Sequence, residues 1–121
     1  MTNISVEQLL NVKDSNLLIE SLSVAATNLN LSQEALTKVV GLEGALKTTT
    51  NLTTKQSENA ISFIRVYISL YSHFDGNFDH MRLWLTGFDN GTQGVPLEQI
   101  QNEEGLVTVM EYLEAMQNGN Y

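Results

Sequence analysis

The sequence predicts an all-α protein, a compact helical bundle, on three observations. Its 121 residues contain a single proline. Apolar side chains recur mostly at spacings of three and four rather than two. Residues that start and stop helices stand at the ends of several such runs. No stretch alternates as a half-buried strand would.

Taken in order, Asp14 or Ser15 is placed to cap a helix whose apolar positions Leu18, Leu22, Ala25, Ala26 and Leu29 form one stripe. Ser32 opens a second short helix with Ala35, Leu36, Val39 and Val40 on one face, and Gly41 follows where a C-terminal glycine stops a helix. A weaker third helix is expected over Leu42 to Lys47. The segment Leu52 to Phe74 carries the clearest signal. Thr53 and Gln56 fit a capping box, and Ala60, Ile61, Ile64, Tyr67, Ile68, Tyr71 and Phe74 form a long apolar stripe. Gly76 and Asn77 break this helix, and a shorter one from Phe78 to Leu85 presents Met81, Trp84 and Leu85. A glycine-rich loop, Thr86 to Gly94, comes next. Pro96 suits the first position of a helical turn reaching Ile100. Asn102 then caps a last helix with Leu106, Val109, Met110, Leu113 and Met116 spaced for burial, and Gly119 lies just past its end. The core is expected to unite Ile61, Ile64, Tyr71, Trp84, Val109 and Leu113.

Composition narrows the function. The chain is long enough to bury one modest core. It has no cysteine, which removes disulfides and thiolate metal sites. Met1 to Leu10 carries Glu7 and no Lys or Arg, unlike a signal peptide, and no stretch approaches the ~20 apolar residues of a membrane span. A cytoplasmic protein without membrane contact is expected. The net charge is −8, which opposes approach to phosphate backbones and anionic lipid. Residues 1–60 hold four basic and six acidic residues (net −2), and residues 61–121 hold two basic and eight acidic ones (net −6). Any basic partner is therefore expected at the C-terminal half.

Catalytic patterns are missing. His73 and His80 are separated by the Gly76–Asn77 break and lack HExxH or carboxylate company, so no metal pair is expected. Gly87, Gly91 and Gly94 form neither GxGxxG nor a P-loop, and no serine sits in a G-x-S-x-G elbow. Glu103 and Glu104 open a helix, where carboxylates favour the dipole. The expectation is a non-enzyme with no cofactor.

The order of features from Met81 to Tyr121 resembles the toxin-binding domain of Xre/MbcA/ParS-type antitoxins. Trp84 and Leu85 end a helix, a loop of about ten residues follows, and Pro96 and Leu97 start a short helix. Glu104 and Gly105 make an acidic-glycine step, Val109 and Leu113 lie in the last helix, and Gly119 and Tyr121 stand near the end. More loosely, Leu31 to Leu46 followed by the helix start at Leu52 and Thr53 occupies the place of the family's Xre-like helix-turn-helix. The resemblance implies a degenerate Xre-like helix-turn-helix region over residues 1–52, followed over 53–121 by the long core helix and a helical toxin-binding domain.

It further implies an antitoxin of a type II toxin-antitoxin system that binds and neutralises a RES-domain, NAD-consuming toxin, and a homodimer is expected. The expected toxin-binding residues are Phe88, Asn90, Gly94 and Pro96, with Asn118, Gly119, Asn120 and Tyr121 of the tail. Phe88 in so polar a loop either tucks onto the core or faces a partner, and packing is the commoner outcome. Tyr121 suits an interface anchor and its terminal carboxylate an arginine. An alternative is a DNA-binding autorepressor using Lys38 and Lys47, but with Glu43 between them these offer weak operator binding at most. A second is a helical interaction protein without a toxin partner.

Overall fold

The computed structural model describes residues 15–119. Helix α1 (Ser15–Asn28) buries Leu18, Leu22, Ala25 and Ala26, and Leu29 just beyond it, as its stripe predicts; Ile19 joins them. Of the two caps proposed, Asp14 lies outside the described residues and Ser15 is already helical. A four-residue turn, in which Asn30 adopts φ 64°, leads to α2 (Gln33–Val40). Ser32 Oγ accepts the Ala35 amide at 3.0 Å to start α2, and Gly41 ends it at φ 90°. That left-handed geometry suits glycine.

Helix α3 (Thr54–His73) is the hub. Its capping box is complete, with Thr53 and Gln56 bonded reciprocally at 2.9 and 3.1 Å. Its first turns also serve the preceding helix: Gln56 Nε2 and Asn59 Nδ2 donate to the carbonyls of Gly41 and Val40, both at 3.1 Å. Carbonyls that a helix C-terminus leaves open are thereby satisfied.

After a turn at Asp75–Gly76, with φ 52° and 75°, come α4 (Phe78–Thr86), α5 (Pro96–Gln99) and α6 (Glu103–Gln117). Asn77 and Asn102 cap α4 and α6 through their side-chain oxygens, and Pro96 takes the first helical position of α5. The longest packing seam joins α3 to α6, while α1, α2 and α4 cover other sides of α3. Arg65 closes that seam with a two-pronged bond to Glu114, at 2.8 and 2.7 Å. Such bidentate pairs are the stronger kind of ion pair. The described residues form six helices and no strand.

Three expectations are corrected. Leu42 to Lys47 is not helical: residues 41–53 form an irregular connection, held locally by a turn in which Lys47 N donates to Thr50 Oγ1 at 2.9 Å. The buried face of α3 is centred on Phe63, Ile64, Val66 and Leu70, with Ala60 and Ser69, whereas Ile61, Tyr67 and Ile68 lie at its margin. A helix enclosed by neighbours on several sides buries more than one stripe. Tyr71, 44% exposed, leaves the expected core and covers the α3–α4 turn, its ring close to Gly76 and 6.1 Å from Phe78. Trp84 is half-buried against the core rather than within it, while Ile64, Val109 and Leu113 are fully buried.

Candidate functional site

The chain between α4 and α5 is polar, yet it is fixed by side chains from the flanking helices. Its ends meet in an antiparallel bridge, with Asp89 N donating to Gly94 O at 2.8 Å and Gly94 N to Asp89 O at 3.3 Å. The Asp89 carboxylate holds both sides of the loop. Oδ1 accepts the Trp84 indole N–H at 3.1 Å, and Oδ2 accepts the Thr92 amide at 3.0 Å. From α5, Gln99 Nε2 donates to the Thr92 carbonyl at 2.7 Å. From α6, the Tyr112 ring lies so close over Gly91 that a β-carbon there would strike it. A side chain at position 91 would have to displace the tip of the Tyr112 ring.

The α5–α6 corner is equally tight. A β-carbon on Gly105 would collide with the backbone carbonyl of Gln99, so the first turn of α6 sits directly against the end of α5. The acidic-glycine step at Glu104–Gly105 therefore has a packing cause. Glu103 and Glu104 lie at the positive end of α6, where carboxylates are favoured, and Glu103 also pairs with Lys55 at the start of α3. That pairing holds the Lys55 ammonium above its ordinary pKa.

On this frame the expected binding residues fall into different settings. Phe88 is 67% exposed, which corrects the expectation that it packs: Asp89, its neighbour, turns inward to Trp84 and leaves the ring outside. Asn90 is exposed at the loop tip, its carbonyl accepting the Gln93 side chain. Gly94 is half-buried in the bridge. Pro96 is buried as the first residue of α5, so it shapes the surface without forming part of it. Asn118 and Gly119 are exposed, Gly119 at φ 73° with nothing crowding it, and they end α6. Asn120 and Tyr121 lie outside the described residues. The loop meets α6 at Tyr112, six residues before Asn118. It is thus joined to the body of α6, not to its end.

Some residues of the site escape sequence reasoning. Leu83 is 69% exposed on α4, off the face that carries Met81, Trp84 and Leu85; that offset puts it outside but does not mark it as a contact residue. Asp89 is different: Asp-Asn-Gly-Thr is a sequence in which an aspartate commonly accepts a nearby downstream backbone amide, and the Thr92 bond is such a contact. Four of the five described basic side chains are engaged: Lys38 with Glu34 at 3.4 Å, Lys55 with Glu103, Arg65 with Glu114 and Arg82 with Asp79 at 3.5 Å. Lys47 is exposed. His73 and His80 both meet the Phe74 ring edge-on, at 4.8 and 6.3 Å. Among the described residues no helix is long and apolar enough to cross a membrane.

No curated protein matches the chain. Residues 69–119 match the family model described as the antitoxin Xre/MbcA/ParS C-terminal toxin-binding domain, 51 of the 121 residues. The matched span starts in the last turns of α3 and takes in α4, the pinned loop, α5 and α6. This part of the molecule is accordingly similar to the toxin-binding domain of the Xre/MbcA/ParS antitoxins, a family that works by binding and regulation and not by catalysis.

Proposed function

We propose that the chain is the antitoxin of a type II toxin-antitoxin system and neutralises a RES-type, NAD-consuming toxin by direct contact. The observation that carries this reading is the exposed Phe88 on a loop made rigid by Asp89, Trp84 and Gln99, inside the segment that matches a toxin-binding domain. An aromatic anchor held in place before binding loses little entropy on docking. In this reading residues 53–121 form the toxin-binding unit. Phe88 and Asn90, with the tail from Asn118 to Tyr121, face the toxin, while Gly94 and Pro96 hold the loop's shape. The acidic bias of residues 61–121 suits a partner whose site accepts an anionic dinucleotide.

The autorepressor alternative has less support. The place expected for the helix-turn-helix, Leu31 to Leu46 before the helix start at Leu52 and Thr53, holds α2 and then an irregular connection over residues 41–53, longer than the usual turn of that motif; Lys38 is paired with Glu34, and Lys47 is the exposed cation of that connection. Weak nucleic-acid binding by the free protein is the expected result.

The test is co-expression with RES-type toxins. Relief of growth arrest and recovery of a purified complex are expected for a cognate toxin. A folded chain that rescues from none of them and forms no complex contradicts the reading.

A further inference from the structure

A shallow groove of about 390 Å³ runs between the turn that follows α1 and helices α4 and α5. Leu29, Leu85 and Leu97 supply apolar lining, Leu83 stands on its wall, and Asn30 and Thr86 add polar groups. Two of these residues, Leu29 and Asn30, come from outside the segment that matches the toxin-binding family. Their position is fixed across the groove, because Arg82 Nε of α4 donates to the Asn28 carbonyl at 2.9 Å. The same guanidinium approaches Asp79 at 3.5 Å, so the one cation at the groove is already engaged. Asp79 remains 88% exposed along its side chain, and Glu98, exposed beside Leu97, forms no ion pair with a described residue. Leu83 and Phe88 are the two most exposed large apolar side chains described, and they stand at either side of the end of α4, where Gly87 N donates to Leu83 O. Single exposed leucines are ordinary, but one bordering an apolar concavity marks a contact site.

We infer that this groove, built jointly by the turn that follows α1 and by α4 and α5, is part of the toxin interface and receives an apolar side chain presented by a basic face of the toxin. The inference rests on the reading under Proposed function. Charge complementarity selects the occupant: Asp79 lines the groove with its carboxylate 88% exposed, Glu98 follows the lining Leu97 in sequence, and residues 61–121 carry net −6, which repels a second acidic copy of this chain and attracts a face bearing Lys or Arg. The interface therefore extends beyond residues 69–119, and the turn that follows α1 contributes to recognition.

The experiment measures binding of the full-length chain to the RES-type toxin whose growth arrest it relieves, by calorimetry at low and high salt. Leu83→Glu, Glu98→Lys and Val24→Glu are compared, each checked by circular dichroism. Leu83 and Glu98 are exposed, and Val24, 42% exposed on α1, does not line the groove. Leu83→Glu should weaken binding by about tenfold or more, as loss of an interface anchor does. Glu98→Lys should weaken it mainly at low salt and flatten its salt dependence, and Val24→Glu should bind as the unsubstituted chain does. Leu83→Glu binding within about twofold of the unsubstituted chain, or Val24→Glu weakening as much, overturns the groove assignment alone. If the unsubstituted chain binds no RES-type toxin, the reading under Proposed function falls, and the groove assignment with it.

Discussion

Two long connections in this molecule are built in opposite ways. Residues 41–53, between α2 and α3, are bonded at their ends, by Gln56 to Gly41 and by the Thr53 capping box, with one small turn between Lys47 and Thr50. Residues 87–95, between α4 and α5, are tied by Trp84 of α4, by Gln99 of α5 and by contact with Tyr112 of α6. The first rests Leu42, Leu46 and Leu52 against the core, whereas the second is held through hydrogen bonds and a close backbone approach. The difference is the number of independent elements that determine the backbone, and it shows which connection is suited to present a fixed surface to a partner.

The comparison is broken most severely at its corner. Gly105→Val must push the start of α6 away from the Gln99 carbonyl, and overpacking against backbone should cost about 3 kcal/mol or more. For a small domain that is a large share of total stability. A lowered denaturant midpoint would record it. Asp89→Ala removes the acceptor for both the Trp84 indole and the Thr92 amide, so roughly 2 kcal/mol of stability should be lost, together with order in the loop. Near-ultraviolet circular dichroism of the single tryptophan should report the change.

Arg65→Ala opens the bond between α3 and α6. The groups are about two-thirds buried, and roughly 1 kcal/mol is expected after allowing for solvent screening, measured by chemical denaturation. At the small end, Gly44→Ala, with open space around its α-carbon, should change stability by less than about 0.5 kcal/mol. The Lys55–Glu103 pair should be visible only in alkali. Because Glu103 raises the Lys55 pKa in the folded chain, its contribution is fully present below the ordinary lysine value of 10.5 and fades as pH rises through the folded value. A stability profile flat from pH 7 to about 9 with respect to this pair is expected, with Lys55→Met removing a decline above pH 10.

Helix starts were legible in the sequence because they are local. Ser32, Thr53 with Gln56 and Asn102 act on amides within three residues, and Pro96 and Gly41 act through their own φ. The rotation of α3 was not legible, since Phe63, Val66 and Leu70 become central only once α1, α2, α4 and α6 surround the helix. The irregularity of Leu42 to Lys47 reflects Gly41 and Gly44 outweighing a weak spacing. At the site, the outward Phe88 is a consequence of the inward Asp89, whose indole partner lies five residues away across a helix end. Periodicity carries no information on such a contact. The order of features from Trp84 to Gly119, by contrast, is local and sequential, and it points to the same family that residues 69–119 match.

Amide hydrogen exchange on the full-length chain, alone and in complex with the toxin it neutralises, tests the account most directly. Protection of Thr92 and Gly94 in the free chain is expected from their bonds to Asp89, with further slowing on binding across residues 83–90. Residues 43–46, outside the Lys47–Thr50 turn, should exchange fast in both states. A complex that protects residues 43–51 and leaves 83–94 unchanged would contradict it.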